Sequence, residues 1–483
     1  MEKRVLDGYS PKEIFYWFEE ITKIPRGSGK EEKIAAFIEN FARERGFYCY
    51  RDELNNVLVR MEATEGMEDQ PSILLQGHTD MVCEKNSDVE FDFDNDPINI
   101  YVDNEGFLRA KGTTLGADDG VAVAIMLALL DGYNVPHPQL ECLFTTSEEI
   151  GLEGATAFDY SNIKSRLMIN LDSENDGEVV AGCAGGVRTD IDYDFPKIPF
   201  AGKAVTLSVT GLMGGHSGEN INSGRANANK LMGRLLTEIA REMKLNIIGI
   251  CGGSKDNAIP RECHAAISVE DVEKLRELTE KIASEIKGEL WEDDLGFAVS
   301  VVPCETPDTM ADDEATRKII LFLAGVTNGV MSFSQYIRGL VEFSRNLGVV
   351  FTMDGVMRFT VSSRSANNSQ VEWSKHDLEA TAAAMGASVK HRGQYPGWDY
   401  TKDSVLRDDY IEIAREIYGK EPQVRIIHAG LECGLMRSAI PDLDIISIGP
   451  DMKDIHSPCE ALDLASFARC FDIVCRLISK KRV

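Results

Sequence analysis

The run Ile73-Leu74-Leu75-Gln76-Gly77-His78-Thr79-Asp80-Met81 constrains this chain more than any other, because an apolar strand ends abruptly in a histidine and an acid two residues apart. In an extended chain residues i and i+2 share a face. His78 and Asp80 therefore act together at the carboxyl end of a strand, where open α/β sheets hold their ligands. The pair suits a metal ligand and its orienter, since a metal-bound imidazole commonly gives its second N–H to a carboxylate. A capping acid beside a surface histidine is the commoner explanation of an isolated His-x-Asp, so the remaining ligands must come from elsewhere.

They come from the ends of other elements. Leu140–Thr146 reads as a strand running into Ser147-Glu148-Glu149-Ile150-Gly151, and Arg166–Leu171 as a strand ending in Asp172. Ala117-Asp118-Asp119-Gly120 opens a helix, Val121–Leu130, that is apolar on nearly every side and so must be buried. A cap at the mouth of that helix needs only one acid. His456 follows the predicted strand Ile445–Ile448 much as His78 follows its own. Separate capping events explain this pattern poorly, whereas a shared metal centre explains it at once.

Mixed imidazole and carboxylate ligands without thiolate suit zinc, cobalt or manganese better than calcium or magnesium. Two ions fit better than one. A bridging carboxylate, Asp118, could hold them roughly 3.5–4 Å apart with a nucleophilic water between. One ion would take His78 and Asp172, the other Glu149 and His456. A non-ligating carboxylate must move the proton from water to the leaving amine, and Glu148 has that position; taken alone, Glu148-Glu149 would read as a solvated acidic turn.

At 483 residues the chain exceeds one ordinary core. The expected class is α/β, a mixed sheet flanked by helices, formed by residues 1–185 and 401–483 around an inserted α+β lid over 186–400, where two sets of similar elements suggest internal duplication. Ser10-Pro11-Lys12-Glu13 is expected to cap and open the first helix, and Ser28 with Glu31 to form a capping box for the second. A net charge of −28 argues against nucleic acid or an anionic membrane as partner. The amino terminus lacks a leader-like apolar run, no stretch reaches membrane-spanning length, and the 11 cysteines are scattered, so the expectation is a cytoplasmic protein with reduced thiols.

His78-Thr79-Asp80, Ala117-Asp118-Asp119-Gly120, Ser147-Glu148-Glu149-Ile150-Gly151, Asp172 and His456 resemble the di-zinc exopeptidase family that includes carboxypeptidases, tripeptidase T and dipeptidases. Gly211–Gly218, Arg225–Ala228 and Ile427–Gly434 resemble its branch acting on aminoacyl-histidine dipeptides, and the likeness covers essentially the whole chain. It implies two zinc ions bridged by Asp118, Asp80 orienting His78, Glu148 as general base, and Xaa-His dipeptides, β-Ala-His among them, as substrates. Many relatives carry lysine where Gly120 stands, a departure that fits the dipeptidase branch.

The resemblance also implies that His216, in the glycine-rich lid segment, stabilises the oxyanion. Arg364 is a candidate for the substrate's terminal carboxylate, which a guanidinium fork matches, though a lid salt bridge accounts for it equally. Asn220, Asn222 and Arg392 are further candidates for that pocket. Glu432 could meet the substrate's amine or buttress its loop. The alternatives are a related metallohydrolase of other di- or tripeptides or N-acyl amino acids, and a non-catalytic metal-binding relative, against which Glu148 argues because a binding module needs no base. Monomer and homodimer remain open.

Overall fold

The computed structural model describes residues 4–482 other than 336 and 354. The chain divides into two compact units: Met1–Gly182 with Trp398–Ile426 and Leu431–Val483, and Cys183–Gly397 with Ile427–Gly430.

The first unit is built on an eight-stranded sheet. At its centre the strands Leu140–Thr145, Ile73–His78, Leu167–Asn170 and Asp444–Ser447 run parallel, with His78 opposite Thr145 and Gln76 opposite Asn170. Antiparallel strands extend both edges: Val57–Met61 and Tyr48–Arg51 on one side, Glu178–Cys183 on the other. The central strands are Leu/Ile/Val-rich and buried throughout, as a sheet covered on both faces requires. Helix Ala117–Leu130 is buried along its whole length, the outcome its all-round apolar sequence demands. It reaches the sheet closely because Gly77 has no side chain: a Cβ there would lie 2.3 Å from both Asp119 Oδ2 and Ala122 Cβ.

The first two helices differ in their starts from expectation. Helix Lys12–Ile21 begins after Pro11, which occupies the capping position with no side-chain cap bond. Helix Glu32–Glu44 lacks the capping box. The Glu31 carboxylate accepts from the Gly29 amide at 2.8 Å and from both the amide and hydroxyl of Ser147 at 3.0 Å, while Ser28 Oγ donates to the Met81 carbonyl. A long-range demand for Glu31 displaced a local one.

The second unit carries a nine-stranded antiparallel sheet with two copies of one topology. In the first, Lys203–Thr210, helix Ala228–Glu242, Leu245–Gly252, Cys263–Val269, helix Val272–Lys287 and Ala298–Pro303 form a β-α-β-β-α-β unit. In the second, Gly185–Asp194, helix Asp313–Gly325, Val341–Met353, Val356–Ser365, helix Asn368–Met385 and Ser388–Tyr395 repeat that order, with the whole first copy inserted after the opening strand. Equivalent strands meet where Cys251 pairs with Phe351. Ile427–Gly430, placed in the closing α/β segment by sequence, groups with this unit because the Ala184 amide donates to the Ile427 and Ala429 carbonyls and His428 Nε2 lies 2.6 Å from Ser344 Oγ.

Asn227 ties the two copies together. Its carboxamide oxygen caps helix Ala228–Glu242 through the amides of Asn229 and Lys230, and its Nδ2 donates to Asn328 Oδ1, Asn346 Oδ1 and the Leu347 carbonyl. Replacing it removes a cap and strands buried acceptors, so Asn227→Ala is expected to cost about 2 kcal/mol. At roughly 2–4 °C per kcal/mol for a unit of this size, thermal unfolding should move down by roughly 4–8 °C.

Candidate metal centre

The parallel strands deliver their polar ends to one place. His78 is 1% exposed, and its Nδ1 lies 3.1 Å from the Asp80 carbonyl and 3.4 Å from Asp80 Oδ1. Asp80, fully buried, also accepts from the amides of Glu148 at 3.1 Å and Glu149 at 3.3 Å. One carboxylate thus orients the histidine and fixes the turn bearing the paired glutamates. Ser147, at the start of that turn, has φ +53°, and His456 has φ +60°; left-handed backbone at non-glycine residues is characteristic of functional sites.

Asp118 stands between the two histidines. Its Oδ1 is 2.9 Å from His78 Nε2, and its Oδ2 is 3.1 Å from His456 Nε2. His456 Nε2 lies 2.9 Å from Glu149 Oε1, and His78 Nε2 lies 3.9 Å from Asp172 Oδ1. The five residues expected to be ligands are therefore brought together with Glu148 beside them. Burial pushes the Asp118 carboxyl up, but the imidazoles of His456 and His78 hold it well below the ordinary range. His456, between Asp118 and Glu149, is raised to about 10. Burial, together with the charges of Asp118, Glu148 and Glu149, raises Asp172 well above the usual value against the pull of His78. Glu148 is raised to about 8, chiefly by burial and then by Glu432, Glu149 and Asp118, with His78 opposing.

These residues fit metal ions. His78, Asp118 and Glu149 each offer a ligand atom, all within 4.8 Å of one another, and so do His78, Asp119 and Asp172. The donors are nitrogen and oxygen only. Asp118, Asp119, Asp172, Glu148 and Glu149 share the site with two imidazoles, an excess of desolvated negative charge that divalent cations relieve.

Three residues to which the local sequence pattern gave no role hold this arrangement. Asp119, the second acid of its pair, is buried and accepts from the amides of His78 and Ala122 at 3.2 and 3.3 Å. Glu460 accepts from the amides of Leu115, Gly116, Ala117 and Asp118 at 2.7–3.4 Å, cradling the loop that presents Asp118. Arg26, 2% exposed, donates to the carbonyls of Thr79, Asp80 and Gly116. Gly116 is left-handed at φ +71°, and a Cβ there would lie 2.5 Å from Arg26 Nη2. Glu31 supports Ser147 as described above. Glu432 is fully buried, its Oε2 accepting from Gln76 Nε2 at 2.5 Å and Thr145 Oγ1 at 2.7 Å, contacts that buttress the sheet.

The second unit holds the other expected residues. His216 Nδ1 accepts from the Glu219 amide at 3.3 Å, which leaves the proton of the neutral ring on Nε2. Burial and then Arg364 hold its pKa below the ordinary value. Asn220 Oδ1 accepts from the His216 amide, shaping that turn, and Asn222 is exposed just beyond it. Arg364 is 7% exposed; its Nη1 donates to Tyr395 Oη at 2.9 Å, and its Nε is buried without a partner. His428 is depressed to about 3 by burial, with Arg364 and His216 adding to the shift. Arg392, by contrast, is occupied by Asp190 at 2.7 Å and Asp256 at 3.4 Å, so its charge is already answered within the unit.

A buried and an exposed imidazole converging with carboxylates at the carboxyl ends of parallel strands, with a part-buried glutamate alongside, define a metal-dependent hydrolase. The chain belongs to the peptidase family M20/M25/M40, whose signature matches residues 74–480. It is 37% identical to the cytosol non-specific dipeptidase of Escherichia coli (strain K12) over 98% of this chain and 99% of that protein. Its structure is similar to that of aminoacylhistidine dipeptidase from Vibrio alginolyticus, with a TM-score of 0.93, 35% identity, and coverage of 100% and 99% of the two chains. Aminopeptidase PepT from Bacillus cereus shares the fold at a TM-score of 0.56 and 16% identity, over 97% of this chain and 98% of that one.

Removing the support of the Asp118 loop should weaken metal binding without touching a ligand. Glu460→Ala is expected to reduce metal affinity roughly 10–100-fold, read by isothermal titration into chelator-treated protein, with Glu460→Gln falling between it and the wild type.

Proposed function

We propose that this chain is a two-metal dipeptidase that cleaves Xaa-His and other dipeptides, β-Ala-His among them. The observation that carries this reading is the position of Asp118, with one carboxylate oxygen facing each histidine and Glu148 beside the pair. His78 and Asp172 would hold one cation, Glu149 and His456 the other, and Asp118 both. Zinc suits this nitrogen and oxygen set, and cobalt or manganese can replace it. Bound there, the cations supply Lewis-acid polarisation of the peptide carbonyl and a lowered pKa for water.

The side chains do the rest. Glu148 accepts the proton of the attacking water and returns it to the leaving amine, a task suited to a carboxyl whose burial has raised its proton affinity. Asp80 holds the His78 ring so that Nε2 faces the centre. His216 donates from Nε2 to the oxyanion, because the Glu219 amide already occupies Nδ1. Arg364 pairs with the substrate's terminal carboxylate. It is the better choice than Arg392 because its buried guanidinium has no carboxylate partner among the described residues. No helix among the described residues is long and apolar enough to cross a membrane, and a cytoplasmic setting agrees with the name of the Escherichia coli relative.

Hydrolysis of Leu-His, Gly-His, β-Ala-His, Leu-Gly and a tripeptide should be confined to the dipeptides, abolished by chelation and restored by zinc, cobalt or manganese. Glu148→Ala should keep its metal and lose roughly 10²–10⁴-fold in turnover, whereas His456→Ala should lose metal as well. Arg364→Ala should act mainly by raising KM. Full activity in Glu148→Ala would remove the proposed base, and cleavage of N-acyl amino acids alone would redirect the substrate assignment.

A further inference from the structure

Beside the metal centre the first unit contains a cavity of about 670 Å³, within the roughly 300–1,000 Å³ range of small-molecule sites. One wall is Glu149, a metal ligand in the reading above. The others include Val82 and Cys83, immediately beyond the His78 strand, Ile150, and the aromatic pair Phe91 and Phe93. The two rings meet edge-on with centroids 4.7 Å apart. They belong to the long Asp/Asn-rich excursion between the His78 strand and the Asp118 helix, whose presence the metal centre by itself does not require.

The charged groups of this wall are already engaged. Lys30 Nζ lies 2.7 Å from both carboxylate oxygens of Asp94, and Lys33 Nζ donates to the Asp94 carbonyl, which pins the excursion to the start of the second helix. The Asp92 carboxylate accepts from the Asp94 amide and from Asn95 Nδ2. With those charges satisfied locally, the cavity offers an occupant a mainly apolar surface.

We propose that this cavity is the subsite for the side chain of the substrate's amino-terminal residue, and that it selects apolar side chains. The inference rests on the dipeptidase reading. Glu149, which would hold a cation against the scissile carbonyl, forms one wall of the cavity, and that carbonyl belongs to the amino-terminal residue, so its side chain is the one the cavity can take. Leucyl and phenylalanyl dipeptides gain by covering Val82, Phe91, Phe93 and Ile150, whereas glycyl and β-alanyl dipeptides leave that surface wet. Burying a leucine-sized side chain corresponds to a gain of roughly tenfold or more in kcat/KM.

The test compares Leu-His, Gly-His and Lys-His on the metal-loaded, full-length protein. The wild type should favour Leu-His over Gly-His by roughly tenfold or more. In Phe91→Ala/Phe93→Ala that ratio should fall to within about twofold, and Val82→Glu should shift preference from Leu-His toward Lys-His. A Leu-His to Gly-His ratio unchanged in both variants overturns the proposal. A readout independent of turnover uses Cys83, which is exposed on the cavity wall. In metal-loaded Glu148→Ala, Leu-His should slow iodoacetamide alkylation of Cys83, followed by peptide mass mapping, while Gly-His should not. Exposed Cys459 serves as the internal reference. Equal alkylation of Cys83 with both peptides also overturns the subsite. If the wild type cleaves no dipeptide, the dipeptidase reading falls, and protection of Cys83 by Leu-His alone still decides whether the cavity binds the side chain.

Discussion

Desolvated negative charge at the carboxyl ends of four parallel strands is the constraint on which the first unit depends. Asp80, Asp118, Asp119, Asp172, Glu148 and Glu149 are gathered around two histidines. Such a cluster costs stability unless each charge is paired, hydrogen-bonded or neutralised. The chain meets this demand unequally. Asp80 is answered by backbone amides and Asp118 by two imidazoles, while burial and neighbouring acids raise the proton affinities of Asp119, Asp172 and Glu148, a charge that the protein alone leaves uncompensated. That remainder is what divalent cations neutralise, and it couples metal binding to the integrity of the sheet ends.

A second layer keeps the cluster in register. Glu460 gathers four consecutive amides of the loop before the central helix, and Arg26 joins that loop to the residues after His78 through three carbonyls. The departure at Gly120 has a steric reason here. A Cβ at that position would lie 2.8 Å from Arg26 Nη2 and 3.3 Å from Ile21 and Phe18 side-chain atoms, so a longer side chain at 120 would need the place Arg26 fills. The buried cation beside Glu460, Asp80 and Asp119 thus comes from the loop after the first helix.

What could be read from the sequence was whatever depends on local periodicity. The strand ending at His78, the all-apolar helix after Asp118 and the strands ending before Glu148 and Asp172 each announce themselves within ten residues, and all are present. The supports were not legible, because their meaning lies in distant partners. Glu31 resembles a capping-box acid until Ser147, more than a hundred residues away, takes its carboxylate, and Glu460 resembles the start of a helix until the amides of residues 115–118 are set against it. The repeat in the second unit is obscured for a related reason: one copy interrupts the other after its first strand, so equivalent elements do not recur at a fixed period.

Arg364 and Arg392 show how burial separates two residues that sequence treats alike. Both were candidates to meet a carboxylate, and both lie on strands of the same sheet. Arg392 is exposed and shared between Asp190 and Asp256, where a pair adds little to binding a further anion. Arg364 is nearly enclosed, tied to one tyrosine hydroxyl and left with a buried unpaired Nε. Burial, and then its charge, depresses His216 and His428, so both rings are held neutral beside it rather than adding to the repulsion. A buried guanidinium in that state gains more from an incoming carboxylate than one already paired, because the anion restores interactions that folding took from water.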